Sequence, residues 1–245
     1  MSSVVPDTGH RTSDPERARG RARLIVALDV PTLNEAAALV DELGPLVNWF
    51  KIGSELYTAA GPDAVRMVLH RGGQVFLDLK YHDIPNTVGR AVAAAAALGV
   101  SMLDVHVAGG PEMLRAAVEA GSPKSGARPL ILGLTLLTSD SDPQARSVVL
   151  ERARKAKAAR LDGVVSSAHE TAAVKAACGR DFIVVTPGIR LKAAAGDDQR
   201  RTMGPFEALA AGSDYLVVGR PITQSPEPRA AAALILEDMD AALDR

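Results

Sequence analysis

"FLDLKYHDIPNTV", residues 76–88, begins as an apolar strand, ends as a polar loop, and carries Asp78, Lys80 and Asp83 within six positions. Charges at the end of a buried strand must be paired, because burying an unpaired charge is costly. Residues two apart in an extended strand share a face, so Asp78 and Lys80 are expected to point the same way. What they point into depends on the rest of the chain.

Short apolar runs alternate with helical patterns on both sides of this stretch. The runs are "LIVALDV" (24–30), "WFKIG" (49–53), "QVFLDLK" (74–80), "MLDVHV" (102–107), "LILGLTLL" (130–137), "GVVSSA" (163–168), "FIVVTPG" (182–188) and "YLVVGRPI" (215–222). They are rich in Val, Ile and Leu, as strands buried on both faces are. Between them lie segments such as "PTLNEAAALVDELG" and "GPEMLRAAVEAG", with helical spacing, polar starts and Gly near their ends. Eight strand–helix units in about 220 residues fit an α/β fold, a single (β/α)₈ TIM barrel. A doubly wound open sheet is the competitor, but the first turn, "LDVPTLNE", has no G-x-G-x-x-G.

The barrel is expected over residues 23–245. Residues 1–22 read as a disordered or loosely docked tail, polar and Arg-rich, with a basic contact arm as the alternative. The tail has no apolar core of a secretory signal, and no stretch has the ~20 apolar residues a membrane span needs. A cytoplasmic protein without membrane contact is the expectation. Net charge is −1, and aromatics make up 3% of the chain. Neither a basic field nor a stacking platform for nucleic acid is available. Cys178 is the only cysteine, so no internal disulfide or cysteine-held zinc is possible, and "AAVKAACG" reads as the buried face of a helix.

Active sites of such barrels lie at the C-terminal ends of the strands. Strand one ends in Asp29, strand two carries Lys51, and strand three carries Asp78 and Lys80. Strand four ends near His106, which fits a pocket wall and a catalytic role equally. Strand five leads to Thr138, and strand six holds Ser166 and Ser167. Two carboxylates and two ammoniums converging inside a barrel can alternate in sign, so that each is paired and the cluster stays ionised. Flanking carboxylates keep a lysine protonated, which makes it a general acid. His82, beside Asp83 in a turn, reads as a loop residue and not as a metal ligand. "TPGIR" and "VGRP" stand where barrels with phosphorylated substrates hold phosphate. Gly188 and Gly219 permit close backbone approach, and Arg190 and Arg220 supply forked donors. "LKAAAGDDQRRTMGP" between them reads as a lid.

Together, "LIVALDV", "FKIG", "LDLKYHDIPNTV", "LTLLTS", "VTPGIR", "GDDQRR" and "VGRPI" resemble the bacterial type of orotidine 5′-phosphate decarboxylase family, in order, from about residue 22 to the final helix. D-x-K-x-x-D alone is shared with 3-hexulose-6-phosphate synthases and keto-gulonate-phosphate decarboxylases. Lys51 in "FKIG" and the "IPNT" continuation favour the orotidylate enzymes. The resemblance implies cofactor-independent loss of CO₂ from orotidine 5′-phosphate to give uridylate. It implies Lys80 as proton donor and Asp78 beside the substrate carboxylate. Asp29 and Lys51 complete the charge network and bind the ribose hydroxyls. Thr138 lies near the pyrimidine, Gln199 reaches from the lid, and Arg190, Gly219 and Arg220 form the lid anchor and phosphate site. Asp83 and Thr87 match positions that cross a homodimer interface into the partner's site. No metal is implied. The alternatives are a Mg²⁺-dependent sugar-phosphate aldolase or decarboxylase of the same superfamily and a non-catalytic phosphate-binding barrel.

Overall fold

The eight apolar runs form eight parallel strands: β1 (Leu24–Ala27), β2 (Trp49–Gly53), β3 (Gln74–Tyr81), β4 (Met102–His106), β5 (Leu130–Leu134), β6 (Gly163–Val165), β7 (Ile183–Thr186) and β8 (Tyr215–Val218). Each pairs with its sequence neighbours and β8 pairs with β1, which closes a (β/α)₈ barrel. The computed structural model describes residues 20–21, 23–121, 127–136, 145–190 and 203–244.

The helices among these residues are α1 (Leu33–Leu43), α2 (Ser54–Ala60), α3 (Pro62–His70), α4 (Pro85–Ala97), α5 (Gly110–Ala120), α6 (Ala145–Ala158), α7 (Ala168–Cys178), α8 (Pro205–Ala210), α9 (Arg220–Thr223) and α10 (Pro228–Leu243). Local chemistry sets their starts. Thr32 caps α1 by accepting the Glu35 N–H at 3.2 Å, and its hydroxyl donates to the Glu35 carboxylate. Proline opens α3, α4, α8 and α10, where no intrahelical N–H is needed. Cys178 is buried at the end of α7, as its apolar setting indicates.

Alternation along the strands makes two cores. Outward residues such as Val26, Phe50, Leu77 and Leu103 pack under the helices. Inward residues, among them Ile25, Trp49, Phe76, Met102, Leu132, Val185 and Val217, fill the barrel. Trp49 and Tyr215 meet edge to face at the N-terminal ends of their strands, 5.4 Å between ring centres. The lower barrel is therefore a solid apolar plug, and only the C-terminal end is left for polar groups.

Most strands stop short of the apolar runs. β1 ends at Ala27 where the run reaches Val30, and β5 ends at Leu134 where it reaches Leu137. Asp29 and Leu136, just past the ends of β1 and β5, line the cavity at the mouth. β3 instead runs on to Tyr81 with an irregularity. Leu77 faces Leu103 and Tyr81 faces Val105, so four steps along β3 oppose two along β4. The expectation of plain alternation through 78–80 is corrected here: the segment bulges, and Lys80 adopts φ 51°.

The expected tail, 1–22, lies outside the described residues except for Gly20 and Arg21. These two are docked. Gly20 N–H donates to Asp240 Oδ1 at 3.0 Å, and the Arg21 fork reaches Asn48 Oδ1 at 2.9 Å and the Gly44 carbonyl ending α1 at 3.0 Å. An arginine that can satisfy a helix-end carbonyl extends the packed chain into a segment whose composition alone reads as solvated.

Candidate active site

The inward positions one layer above the plug are Ala27, Lys51, Asp78 and Asp104, and one layer higher stand Asp29, Gly53, Lys80 and His106. Charge thus enters the barrel on β1 to β4. Lys51 Nζ lies 2.8 Å from Asp29 Oδ1 and 3.3 Å from Asp78 Oδ2, and Lys80 Nζ donates to Asp78 Oδ1. The result is a continuous chain, Asp29–Lys51–Asp78–Lys80, alternating in sign as the sequence suggests. Lys51 is 8% exposed. The Asp78 side chain is 13% exposed, against 34% for Lys80 and 53% for Asp29. The inner two charges are therefore held by each other, and the outer two face the opening.

Electrostatics keep the inner pair of this chain, Lys51 and Asp78, ionised. Burial alone would push the Lys51 ammonium down, but the fields of Asp78 and Asp29 outweigh it and the net direction is up. Burial alone would raise the Asp78 carboxyl, and Lys51 and Lys80 together hold it below its ordinary value. Ionised Asp78 and protonated Lys51 are then the resting forms across the neutral range.

Gly53 is a member of the site that sequence reasoning missed. A Cβ there would stand 3.0 Å from Lys51 Nζ and 3.1 Å from Asp29 Oδ1. The alternation that places Lys51 inward also places residue 53 inward, so the signal was present in "FKIG". Asp104 was missed in the same way. It is fully buried, and its Oδ1 accepts the Lys80 backbone N–H at 2.8 Å. A left-handed backbone costs a non-glycine residue about 1–2 kcal/mol, and this bond offsets part of that at Lys80.

The chain of charges forms one wall of a cavity of about 480 Å³. The ends of β7 and β8 supply Gly188, Arg190, Gly219 and Arg220, and Leu134, Leu136 and Val165 supply apolar surface. Ser54 and Gln224 also reach it, and neither stood out in the sequence. Past the end of β7, Ile189 bridges Met203, and Arg190 N–H donates to the Met203 carbonyl at 3.1 Å. A cavity that joins an apolar wall, four paired charges and two arginines suits a flat polar ring carrying an anionic tail.

A family model described as orotidine 5′-phosphate decarboxylase / HUMPS family matches residues 22–235. The chain belongs to this family. The orotidine 5′-phosphate decarboxylase of Moorella thermoacetica is 48% identical, over 91% of this chain and 94% of its own length. That of Syntrophotalea carbinolica is 49% identical, over 91% and 97%. Among solved structures, the orotidine 5′-phosphate decarboxylase of Lactobacillus acidophilus superposes with a TM-score of 0.78 at 36% identity, covering 89% of this chain and 99% of that one.

Within this orotidine 5′-phosphate decarboxylase / HUMPS barrel the expected site residues fall into three groups. Asp29, Lys51, Asp78, Lys80, Arg190, Gly219 and Arg220 all line the cavity. Asp83 and Thr87 do not: both are exposed where β3 gives way to α4, and Asp83 Oδ1 accepts the Ile84 N–H at 2.6 Å. Thr138 and Gln199, with the lid stretch from 191 to 202, lie outside the described residues. His106 stacks on His82, 5.1 Å between ring centres. Burial, then His82, Lys80 and Arg152, lower its pKa, which favours the neutral ring. No group of three or more His, Cys, Asp or Glu among the described residues is arranged to hold a metal ion. No helix among them is long and apolar enough to cross a membrane.

Proposed function

We propose that this chain decarboxylates orotidine 5′-phosphate to uridine 5′-phosphate without a cofactor, as a cytoplasmic enzyme of uridylate synthesis. The observation that carries the reading is the Asp29–Lys51–Asp78–Lys80 chain on the wall of a cavity whose rim holds Arg190 and Arg220. Arg190, Gly219 and Arg220 take the phosphate. Asp29 and Lys51 take the ribose hydroxyls.

The chemistry follows from what is charged. Ionised Asp78 sits beside the substrate carboxylate and opposes it. The C6–carboxylate bond breaks with its electron pair left on C6, and CO₂ departs. Lys80 stabilises that pair as it develops and then transfers an N–H proton to C6, leaving a neutral amine that regains a proton from solvent. This is stabilisation by groups already oriented before the reaction. The phosphate is remote from the breaking bond, so its binding serves to hold the ring against Asp78 and Lys80.

A metal-dependent sugar-phosphate reaction is the poorer fit. The two carboxylates that line the cavity, Asp29 and Asp78, are both engaged by Lys51. Absorbance of orotidine 5′-phosphate with purified protein in excess EDTA tests the proposal directly. Loss of the orotate band with formation of uridylate is expected. An unchanged spectrum, with turnover of a sugar phosphate restored by Mg²⁺, would move the chain to the metal-dependent branch.

Gly53→Ala provides a finer test. Its Cβ would press on both Lys51 Nζ and Asp29 Oδ1. These are the far ends of flexible chains, so the barrel tolerates the change while the ion pair shifts. Displacement of positioning groups by a fraction of an ångström is expected to lower kcat/KM about tenfold, with the melting temperature nearly unchanged. Wild-type kcat/KM would remove the Asp29–Lys51 contact from the account.

A further inference from the structure

Asp104 has no part in the chemistry above, yet it is the least exposed charged side chain among the described residues, at 0%. It lies on β4 between Met102 of the plug and His106, on the inner face. Its two oxygens are used unequally. Oδ1 accepts the Lys80 backbone N–H at 2.8 Å, whereas Oδ2 is buried with no hydrogen-bond partner among the described residues. The bulge in β3 takes the Lys80 N–H out of the regular ladder, and Asp104 receives it.

We propose that Asp104 is a positioning residue of this active site: its carboxyl pins the left-handed backbone at Lys80 and thereby fixes where the Lys80 ammonium stands relative to Asp78. Its catalytic consequence rests on the decarboxylase reading. The protonation pattern agrees with the geometry. Burial first, and the field of Asp78 second, push the Asp104 carboxyl well above its ordinary value against a smaller pull from Lys80. Asp78 moves the other way. The pKa values of two carboxyls on adjacent strands are thus driven apart, Asp78 downward and Asp104 upward. The upward shift also lessens the cost of a buried anion with an idle oxygen.

Two substitutions separate positioning from general support. Asp104→Asn keeps an acceptor for the Lys80 N–H and the shape. Asp104→Leu keeps only the approximate shape. Steady-state kinetics with orotidine 5′-phosphate are expected to give Asn within about threefold of wild-type kcat. Leu should lose about 10²-fold in kcat with KM changed less than about threefold, as a misplaced reacting group does when substrate contacts survive. Crystal structures of both variants give a readout independent of turnover: Lys80 keeps its positive φ in Asn and leaves it in Leu. A fully active Leu variant, a loss confined to KM, or an Asn variant as impaired as Leu would overturn the proposal. So would an unchanged Lys80 backbone in Leu. Should Leu fail to fold, the Asn variant still decides, since a loss beyond about tenfold or a displaced Lys80 is incompatible with the proposed role. An inactive wild type would sink the decarboxylase reading alone, and the Lys80 backbone in the Leu variant would still test the inference.

Discussion

Lys80→Ala is expected to lower kcat for orotidine 5′-phosphate by at least about 10⁴-fold while the barrel stays folded. One side chain here serves as proton donor and as the nearest stabilising charge, and each of those roles is worth about 10²–10⁴ when removed. The fold survives because Lys80 is at the mouth, with a third of its side chain exposed, and Asp78 retains Lys51 as a counterion at 3.3 Å. Uridine 5′-phosphate should still bind, since the phosphate and ribose groups are untouched. Lys80→Arg separates the two roles. It restores the positive charge but not a transferable proton, because a guanidinium does not give up its proton in a protein. It should remain at least about 10²-fold below wild type. Stopped absorbance assays with circular dichroism on the same samples check all of this, and substantial turnover by Lys80→Ala would remove Lys80 from the proton transfer.

The fold was legible because each strand is buried on both faces and so announces itself as an uninterrupted Val, Ile and Leu run. β2 matches its run residue for residue, Trp49–Gly53. What was not legible is where a ladder ends. β1 stops at Ala27, and Asp29, still in the apolar-looking run, has left the ladder for the mouth. No composition rule marks that point, because the residues on either side are equally apolar.

The site was legible to the extent that charge is rare inside barrels. Asp29, Lys51, Asp78 and Lys80 drew notice as charges on apolar strands, and the structure joins them in a single chain of contacts. The argument that Asp78 and Lys80 share a face by simple alternation reached the right face through an incomplete cause. The β3 bulge and the positive φ of Lys80 set the actual direction. Asp104 obeys the same two-residue period as Met102 and His106, and could have been found by it. It was passed over because nothing in "MLDVHV" says that the acid is fully buried. Gly53 was silent for a different reason: a glycine required for lack of a side chain leaves no chemical mark in a sequence.

Asp83→Ala should lose most of its activity although Asp83 lines no part of its own cavity. Asp83 and Thr87 stand one helical turn apart at the start of α4, exposed, with Ile84 between them at 65% exposure. Ile84 is one of only two large apolar side chains so exposed among the described residues. A polar pair flanking a bare isoleucine is what a covered face looks like in one isolated subunit, and we propose that a second copy of the chain covers it. Under two-fold symmetry each subunit then lends Asp83 to its partner's site. Loss of one such group is expected to cost about 10²–10³ in kcat/KM. The decisive experiment mixes two inactive variants. Asp83→Ala and Lys80→Ala subunits, dissociated and reassembled together, form heterodimers in which one site carries both defects and the other neither. With random assortment, half the dimers are mixed and half their sites intact, so roughly a quarter of wild-type activity should return. Activity in the mixture no higher than in either variant alone would place both groups in one subunit's site and end the shared-site proposal. A fully active Asp83→Ala monomer would end it sooner.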